Sequence, residues 1–307
     1  TYTHRTADYM LSTAQDYRKG VRGEQHHVWQ ATLDEKAVVF TQHPGKLPIP
    51  EGSPIPPDWT WQKEDEPGPG YWTGEASLPR SAQHRNVGIH IYAPQYTPIP
   101  FYGFDYLRET HAYFPWAHFD ETPIQPGPWT FGRKGDGFVA LYSLLPTAWR
   151  TGQPEVFENG GLPFDLVAPA VPVGPGDPFP SNVWIVECGS AEEWGSYEAF
   201  RAAIASASVT ATPLGDEDGN GATDGFDVEY VSPSQGVVTF GWHAPLTVDG
   251  QEVPIADYPR FENPYVEAGF DEQRNEISAG DYGLMLDFVS GDRVAEGPAP
   301  KLPGFPN

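Results

Sequence analysis

Proline and glycine divide this chain into short segments, and that division limits the folds open to it. Its 307 residues include 34 prolines and 33 glycines. Proline removes a backbone donor and glycine favours turns, so long helices and long central strands are both disfavoured. Aromatic residues make up 14% of the chain, whereas disordered segments are poor in them. The sequence therefore predicts short strands joined by rigid loops, and an all-β fold.

Segments of alternating or continuous apolar character predict a large antiparallel β-sandwich. The clearest are a hairpin over 129–144, with Gly135-Asp136-Gly137 at its turn, and a buried strand over 182–189. Further strands are predicted at 86–93, 226–232, 236–242, 246–254 and 277–290, with a turn at Asp249-Gly250. Long Pro/Gly-rich loops are predicted over 44–70, 94–128 and 145–181.

A single helix is predicted at about 190–206, packed on the sandwich. Ser190 and Glu193 fit a capping box, and the helical spacing of apolar residues continues as far as Ile204. Two portions are distinguished: residues 1–170, a sandwich with long loops, and residues 171–307, a β-rich continuation with the helix and an acidic loop. Both are expected to form one compact unit.

Charge and cysteine content narrow the classes of function. The formal net charge is −24, so nucleic acid and anionic membranes are not expected as partners, whereas cations are favoured and a secreted protein is indicated. Cys188, the only cysteine, lies in an apolar strand and is expected to be a buried structural thiol. The start at Thr1 fits a processed protein or a piece of a longer one.

Three of the nine histidines lie in one predicted hairpin, at His26, His27 and His43. A three-residue loop at 34–36 would place Ala31 opposite Val39 and His27 opposite His43. Directly opposed Cβ atoms are about 4.5–5.5 Å apart, close enough for two imidazoles to share a ligand. A two-residue turn would break this pairing. The sequence leaves open whether these histidines line a functional cleft or only pack.

An acidic loop follows the spacing of an EF-type calcium site. Its matching residues are Asp216, Asp218, Asn220, Gly221, Asp224 and Asp227. No helix-loop-helix surrounds them, because Pro213 precedes the loop and a strand follows it. The loop is therefore predicted to bind a structural calcium ion, the alternative being an acidic hairpin loop whose residues only make turns.

Two further stretches combine aromatic and polar side chains. Residues 68–92 include Tyr71, Trp72, Arg80 and His84, which suit the binding of sugar rings and their carboxylates or sulfates. Residues 108–121 include His111, Tyr113, His118 and Asp120, which offer an acid, a base and an orienting carboxylate. Their loose spacing favours ordinary loop residues over a site.

The segments YMLSTAQDYRKG…QHHVWQATL, YWTG…LPRSAQHRNVGIHIY and WTFGRKGDGFVALYS resemble, over much of 8–145, a part of certain secreted bacterial enzymes. The resemblance is to the C-terminal β-sandwich of polysaccharide lyases of the heparinase II/III and alginate lyase type. In that family a helical toroid precedes the sandwich, and the glycan lies between the two.

This resemblance implies β-elimination at a uronic acid. A Tyr or His removes the C5 proton, and Asn, His or Arg neutralises the carboxylate. It also implies that the sandwich lends a histidine to the cleft, here His26 or His27 with His43 and Arg80 nearby, and in some members a zinc site. The toroid is missing from this chain, which is therefore expected to be inactive alone. Two alternatives stay open: a non-catalytic carbohydrate-binding sandwich and a structural sandwich.

Overall fold

The computed structural model describes fifteen stretches of the chain. They are residues 1–17, 19–20, 27–43, 45–46, 62–63, 66–67, 75, 77–93, 105–106, 109–152, 158–169, 181–215, 223–255, 270–271 and 276–277. Two compact units divide the chain, Thr1–Ile255 and Ala256–Asn307. The boundary that the sequence suggests near residue 170 falls inside the first unit. In the second unit the described residues form one two-stranded pairing.

Strands dominate the described residues. They are β1 (Tyr2–Arg5), β2 (Met10–Thr13), β3 (Trp29–Thr32), β4 (Val38–Gln42), β5 (Gly45–Lys46), β6 (Gln62–Lys63), β7 (Glu66–Pro67), β8 (Arg80–His84), β9 (Val87–Tyr92), β10 (Asp105–Tyr106), β11 (Glu109–Tyr113), β12 (Trp129–Lys134), β13 (Gly137–Ser143), β14 (Ala148–Arg150), β15 (Asp165–Pro169), β16 (Asn182–Ser190), β17 (Val209–Pro213), β18 (Phe226–Ser232), β19 (Gly236–Gly241), β20 (Thr247–Val248), β21 (Gln251–Glu252), β22 (Phe270–Asp271) and β23 (Glu276–Ile277). The helical segments are a 3-10 turn (Trp116–His118), α1 (Ala191–Trp194) and α2 (Tyr197–Ala205).

Three antiparallel sheets of the first unit stack as layers. The seven-stranded sheet has the order β1-β2-β3-β4-β11-β15-β14, the central sheet β12-β13-β16-β9-β8 and the small sheet β17-β18-β19-β20-β21. The remaining pairings are β5 with β10, β6 with β7 and β22 with β23. The predicted all-β, sandwich-like fold is confirmed. None of the described helices has the length and apolar character needed to span a bilayer.

The central sheet is covered on both faces. Along β16, Val183 and Ile185 belong to a core shared with the small sheet and α2. Trp184, Val186 and Cys188 point the other way, into a core shared with the seven-stranded sheet. All nine residues of β16 are buried, as expected where helices or sheets cover both faces. Cys188 is fully buried and burial raises its pKa, so the prediction of an inert structural thiol holds.

Both predicted tight hairpins form where the sequence places them. Lys134 pairs with Gly137, so the turn between β12 and β13 consists of Gly135 and Asp136. Asp249 and Gly250 both have positive φ, as a two-residue hairpin turn requires. The register predicted for the first histidine hairpin is also confirmed in its described part, because Ala31 pairs with Val39.

Two predictions about regular structure need correction. The single helix predicted at about 190–206 is broken at Gly195, whose φ is 75°, and Ser196 caps the second piece. The segments 94–128 and 145–181 are not wholly loops, since β11, β14 and β15 lie within them. These strands are short and flanked by proline and aromatic residues, and β11 is held by pairing with β4 and β15, which are distant in the sequence.

Candidate functional site

The face of the seven-stranded sheet that is turned away from the central sheet carries aromatic and charged side chains in one row. Tyr113 pairs with Phe40 on one side and with Asp165 on the other. Asp165 in turn pairs with Arg150. Directly opposed residues project from the same face. The neighbour Ala112 belongs to the inner core, so the row of four lies on the opposite face, which we call the outer face.

A histidine and a carboxylate form a fully buried pair on this outer face. The Nδ1 atom of His111 lies 2.9 Å from Oδ1 of Asp165, and neither side chain has exposed surface. An ionised carboxylate can only accept hydrogen bonds, so Nδ1 of His111 carries the proton. In this tautomer Nε2 is the acceptor nitrogen of the neutral imidazole. This arrangement suits a histidine that accepts a proton.

Arg150 extends the pair into a four-residue chain. Its Nη1 donates to Oδ2 of Asp165 at 3.1 Å. Its Nη2 donates to Oε1 and Oε2 of Glu109 at 2.8 and 2.9 Å. The order of contacts is thus Glu109, Arg150, Asp165, His111, with one arginine shared between two carboxylates. Charge-assisted hydrogen bonds of this kind fix orientation as well as adding energy.

An open groove of about 440 Å³ lies beside Phe40 and Tyr113 on the outer face. Its lining residues are Glu35, Lys36, Val38, Phe40, Tyr113, His118 and Glu158. The rings of Phe40 and Tyr113 stack with their centroids 5.2 Å apart, and Phe164 lies 6.2 Å from Tyr113. The groove thus has an aromatic floor, with charged groups at its margin.

Burial and charge change the acidity of the groove's titratable groups. Burial raises the pKa of Tyr113 to about 12, so its phenol is protonated at neutral pH. At the margin, Lys36 lies 2.6 Å from Glu158. That hydrogen bond and charge raise the pKa of Lys36 and lower the pKa of Glu158. The groove therefore offers a proton donor at its floor and a cation at its edge.

Two of the three histidines predicted for a cleft, His27 and His43, lie within the described residues. His27 packs against Phe40 with ring centroids 4.2 Å apart, and its desolvation there lowers its pKa. His43 is fully buried, with its ring 6.2 Å from that of Tyr92 on the inner face. The described pairing of β3 with β4 ends at Ala31 and Val39, so it does not test whether His27 lies opposite His43. The two rings have different surroundings. His26 lies outside the described residues.

His43 belongs to a buried polar cluster between the seven-stranded and central sheets. Its backbone N–H donates to Glu75 at 2.7 Å, and the hydroxyl of Tyr92 lies 3.0 Å from the other oxygen of Glu75. Burial raises the pKa of Glu75 well above its usual range. Nearby, His90 stacks on Trp29 at 4.3 Å. This cluster joins two layers and is enclosed by both.

The predicted sugar-binding residues do not form one site among the described residues. Arg80 is buried and donates to the backbone carbonyls of Gly241 and Ala244 and to Asp16. Those contacts attach the central sheet to the small sheet. His84 lies half-buried at the end of β8, and burial, with Arg85 and His4, lowers its pKa. Tyr71 and Trp72 lie outside the described residues.

Most of the predicted calcium loop also lies outside the described residues, namely Asp216, Asp218 and Asn220. Its two ends are described. Asp224 donates its backbone N–H to Gly215 at 2.8 Å, and Asp227 pairs with Thr212 and Gly241 within the small sheet. In the described stretches, no three His, Cys, Asp or Glu residues are grouped so as to hold a metal ion. Calcium therefore stays a prediction from the sequence, and zinc stays only what the resemblance implies for some members of that family.

Part of the segment 108–121 is a strand, β11, and not loop as the sequence suggested. His111 and Tyr113 project from the same face of β11 because they are two residues apart. The orienting carboxylate, however, is Asp165 and not Asp120, which accepts from the backbone of Gly135 at 2.7 Å. Sequence reasoning missed Asp165, Arg150 and Glu109. The available signal was that Glu109, His111 and Tyr113 are two residues apart and so share one face of a strand. Nothing in the segment points to Asp165 or Arg150.

No protein-family model, curated protein or solved structure matches this chain. The functional interpretation therefore rests on the residues and their geometry.

Proposed function

We propose that this chain is the β-sandwich part of a secreted polysaccharide lyase-like protein that cleaves a uronic-acid-containing glycan by β-elimination. In this proposal a helical domain forms the opposite wall of the cleft. One observation carries the proposal: His111, held by Asp165, and Tyr113 project from one face of β11 beside the groove. A base and an acid on one face are what β-elimination needs.

Tyr113 and His111 divide the two proton transfers. Because its pKa is raised to about 12, Tyr113 is suited to donate a proton to the leaving glycosidic oxygen. His111 is suited to accept the C5 proton at Nε2, while Asp165 stabilises the imidazolium that forms. His111 has no exposed surface, so the sugar has to reach past Tyr113.

The uronate carboxylate needs a local cation, because the chain as a whole repels anions with its net charge of −24. Lys36 lines the groove and is paired with the exposed Glu158. A substrate carboxylate can replace Glu158 as its partner at little cost, because solvent screens an exposed ion pair. Neutralising that carboxylate stabilises the carbanion that follows proton removal.

The test is an ultraviolet assay for unsaturated uronate, with the full-length natural protein and a panel of uronic-acid glycans. We expect His111→Gln and Tyr113→Phe to lower kcat by about a hundredfold or more. Two substitutions outside the groove serve as matched controls: His243→Gln at an exposed position, and Tyr142→Phe in the core facing the small sheet. Cleavage that survives both groove substitutions would refute the assigned roles.

A second candidate function uses the same face without chemistry. The aromatic rings of Phe40, Tyr113 and Phe164, joined by His27, favour a non-catalytic carbohydrate-binding sandwich. Under that reading, glycan retention survives His111→Gln and no unsaturated product forms. A chain that neither retains nor cleaves any glycan leaves the structural interpretation.

A further inference from the structure

We propose that Glu158 is a specificity-determining residue: in the free protein its carboxylate occupies the position of the substrate carboxylate, and an acidic sugar has to displace it. This inference rests on the proposed function, in which Lys36 receives the uronate carboxylate. Its basis is the contact between Nζ of Lys36 and Oε2 of Glu158, at 2.6 Å. Both residues line the groove, so the ion pair lies where a ligand in the groove meets the lysine.

The backbone on the lysine side of this contact is fixed by a local hydrogen-bond pattern. Oδ1 of Asp34 accepts the backbone N–H groups of Lys36 at 2.8 Å and of Ala37 at 2.6 Å. Aspartate side chains commonly hold turns in this way. The side chain of Lys36 is 52% exposed and that of Glu158 is 77% exposed. The cation is therefore held at a defined place in the turn between β3 and β4, and a ligand can reach it.

Glu158 is placed by an unusual backbone conformation. Its φ is 57°, in the left-handed region that residues with a Cβ atom rarely occupy. Two glycines with positive φ follow it, and the side-chain amide of Asn159 donates to the carbonyl of Leu162 at 2.8 Å. Strained residues of this kind are found preferentially at ligand sites and switch regions, where the surrounding structure compensates for them. The tight turn thus sets an acidic side chain against Lys36.

Displacement of Glu158 makes binding depend on the charge of the ligand. A carboxylate ligand exchanges one ion pair at Lys36 for another, and it also lies near the released carboxylate of Glu158, which repels it. A neutral sugar does not compete for the lysine and is not repelled. Glu158 therefore lowers the affinity of the groove for acidic sugars and leaves that for neutral sugars unchanged. Because β-elimination leaves the carboxylate on its product, the same competition favours product release.

The experiment measures binding of galacturonate, glucuronate and mannuronate to the full-length natural protein by NMR titration, with their methyl esters as neutral counterparts. These monosaccharides contain no glycosidic bond between sugars, so no cleavage interferes. We expect Glu158→Gln to tighten binding of the acids by about two- to fivefold, and to leave binding of the esters unchanged. The gain should shrink at high salt, because salt screens exposed charges.

Two further variants separate displacement from a general change of charge. Lys36→Gln should weaken binding of the acids, and adding Glu158→Gln to it should restore little, because the two side chains act as one unit. Glu35→Gln is the matched control, since Glu35 lines the same groove and carries the same charge. It should tighten binding of the acids by less than Glu158→Gln does. All three positions are at the surface, so these variants are expected to fold.

Equal affinities of the wild type and Glu158→Gln for the acids would overturn the inference. An equal gain from Glu35→Gln, or no binding of any acid to either protein, would do the same. The cleavage assay is separate. Tighter binding by Glu158→Gln without cleavage of any glycan would refute the proposed function and leave the carboxylate subsite established, whereas cleavage with equal affinities would do the reverse.

Discussion

Asp165 and Glu187 are both carboxyl groups without exposed surface, yet their surroundings differ in kind. Asp165 contacts a histidine and an arginine on the outer face of the seven-stranded sheet. Glu187, between the central and small sheets, receives hydrogen bonds from the hydroxyls of Tyr230 and Ser232 at 2.5 and 2.9 Å. Burial raises the pKa of Glu187, and within the described part of the chain no cation offsets that effect.

The difference separates two uses of a buried acid. A carboxyl group among hydroxyls and aromatic rings can stay neutral, and it then acts as a polar link between two layers. A carboxylate that contacts an arginine and a histidine fixes the direction of its partners, which is useful where a proton has to move. Glu75, between the other pair of layers, resembles Glu187 in this respect, because burial also raises its pKa.

The largest effect is expected from neutralising Asp165. Asp165→Asn removes the partner of a buried imidazole and of Arg150, and breaking a buried ion pair typically costs about 3–5 kcal/mol. We expect a loss of that size in the free energy of unfolding at neutral pH, measured by urea denaturation. Asp120→Asn is the matched control, because Asp120 pairs with Lys134 at the surface and should cost about 1 kcal/mol or less. Equal losses in the two variants would contradict the comparison.

Calcium removal tests a third kind of acidic group, the loop Asp216–Asp227. A structural calcium ion at a hundred times its Kd stabilises a protein by about 2.7 kcal/mol. We expect excess chelator to lower Tm by several degrees, and Asp216→Asn with Asp218→Asn to remove that response. Magnesium added in place of calcium is the control for ionic strength. A Tm that chelator leaves unchanged would show that the loop holds no structural calcium.

The effect of Glu187→Gln on the free energy of unfolding should depend on pH. Because the folded pKa of Glu187 is raised, the wild type loses stability as pH rises from the unfolded pKa through the folded pKa. Glutamine lacks this penalty, so the variant should gain relative to the wild type over that window, by about 1.4 kcal/mol for each pH unit that separates the two pKa values. Unfolding free energies from pH 4 to pH 8 measure it. Glu229→Gln, at an exposed position of β18, controls for the lost negative charge, and a flat difference would contradict the prediction.

The sequence predicts features that neighbouring residues determine better than features that depend on residues far apart in the chain. Local signals predicted the hairpin turn at Asp249-Gly250 and the capping by Ser190, because turns and caps are set by neighbouring residues. The site depends on pairing between strands. His111 and Asp165 are separated by 54 positions, and nothing in either segment reveals that β11 and β15 are neighbours. Hence the sequence grouped His111 and Tyr113 with Asp120, whereas the carboxylate that contacts His111 is Asp165.

The smallest expected effect concerns His27, whose ring contacts that of Phe40. An aromatic pair contributes about 0.5–1.5 kcal/mol, so His27→Ala should cost about 1 kcal/mol at pH 8. The folded pKa of His27 is lowered, so the wild type itself loses stability as pH falls through the unfolded value. The deficit of the variant should therefore shrink by pH 5, in thermal melts of both proteins.

Gln30→Ala, on β3, removes no titrating group and should show a constant difference from the wild type. A deficit of several kcal/mol at either pH would mean that His27 is a core residue, and a deficit that grows at low pH would mean that its imidazole is stabilised as a cation.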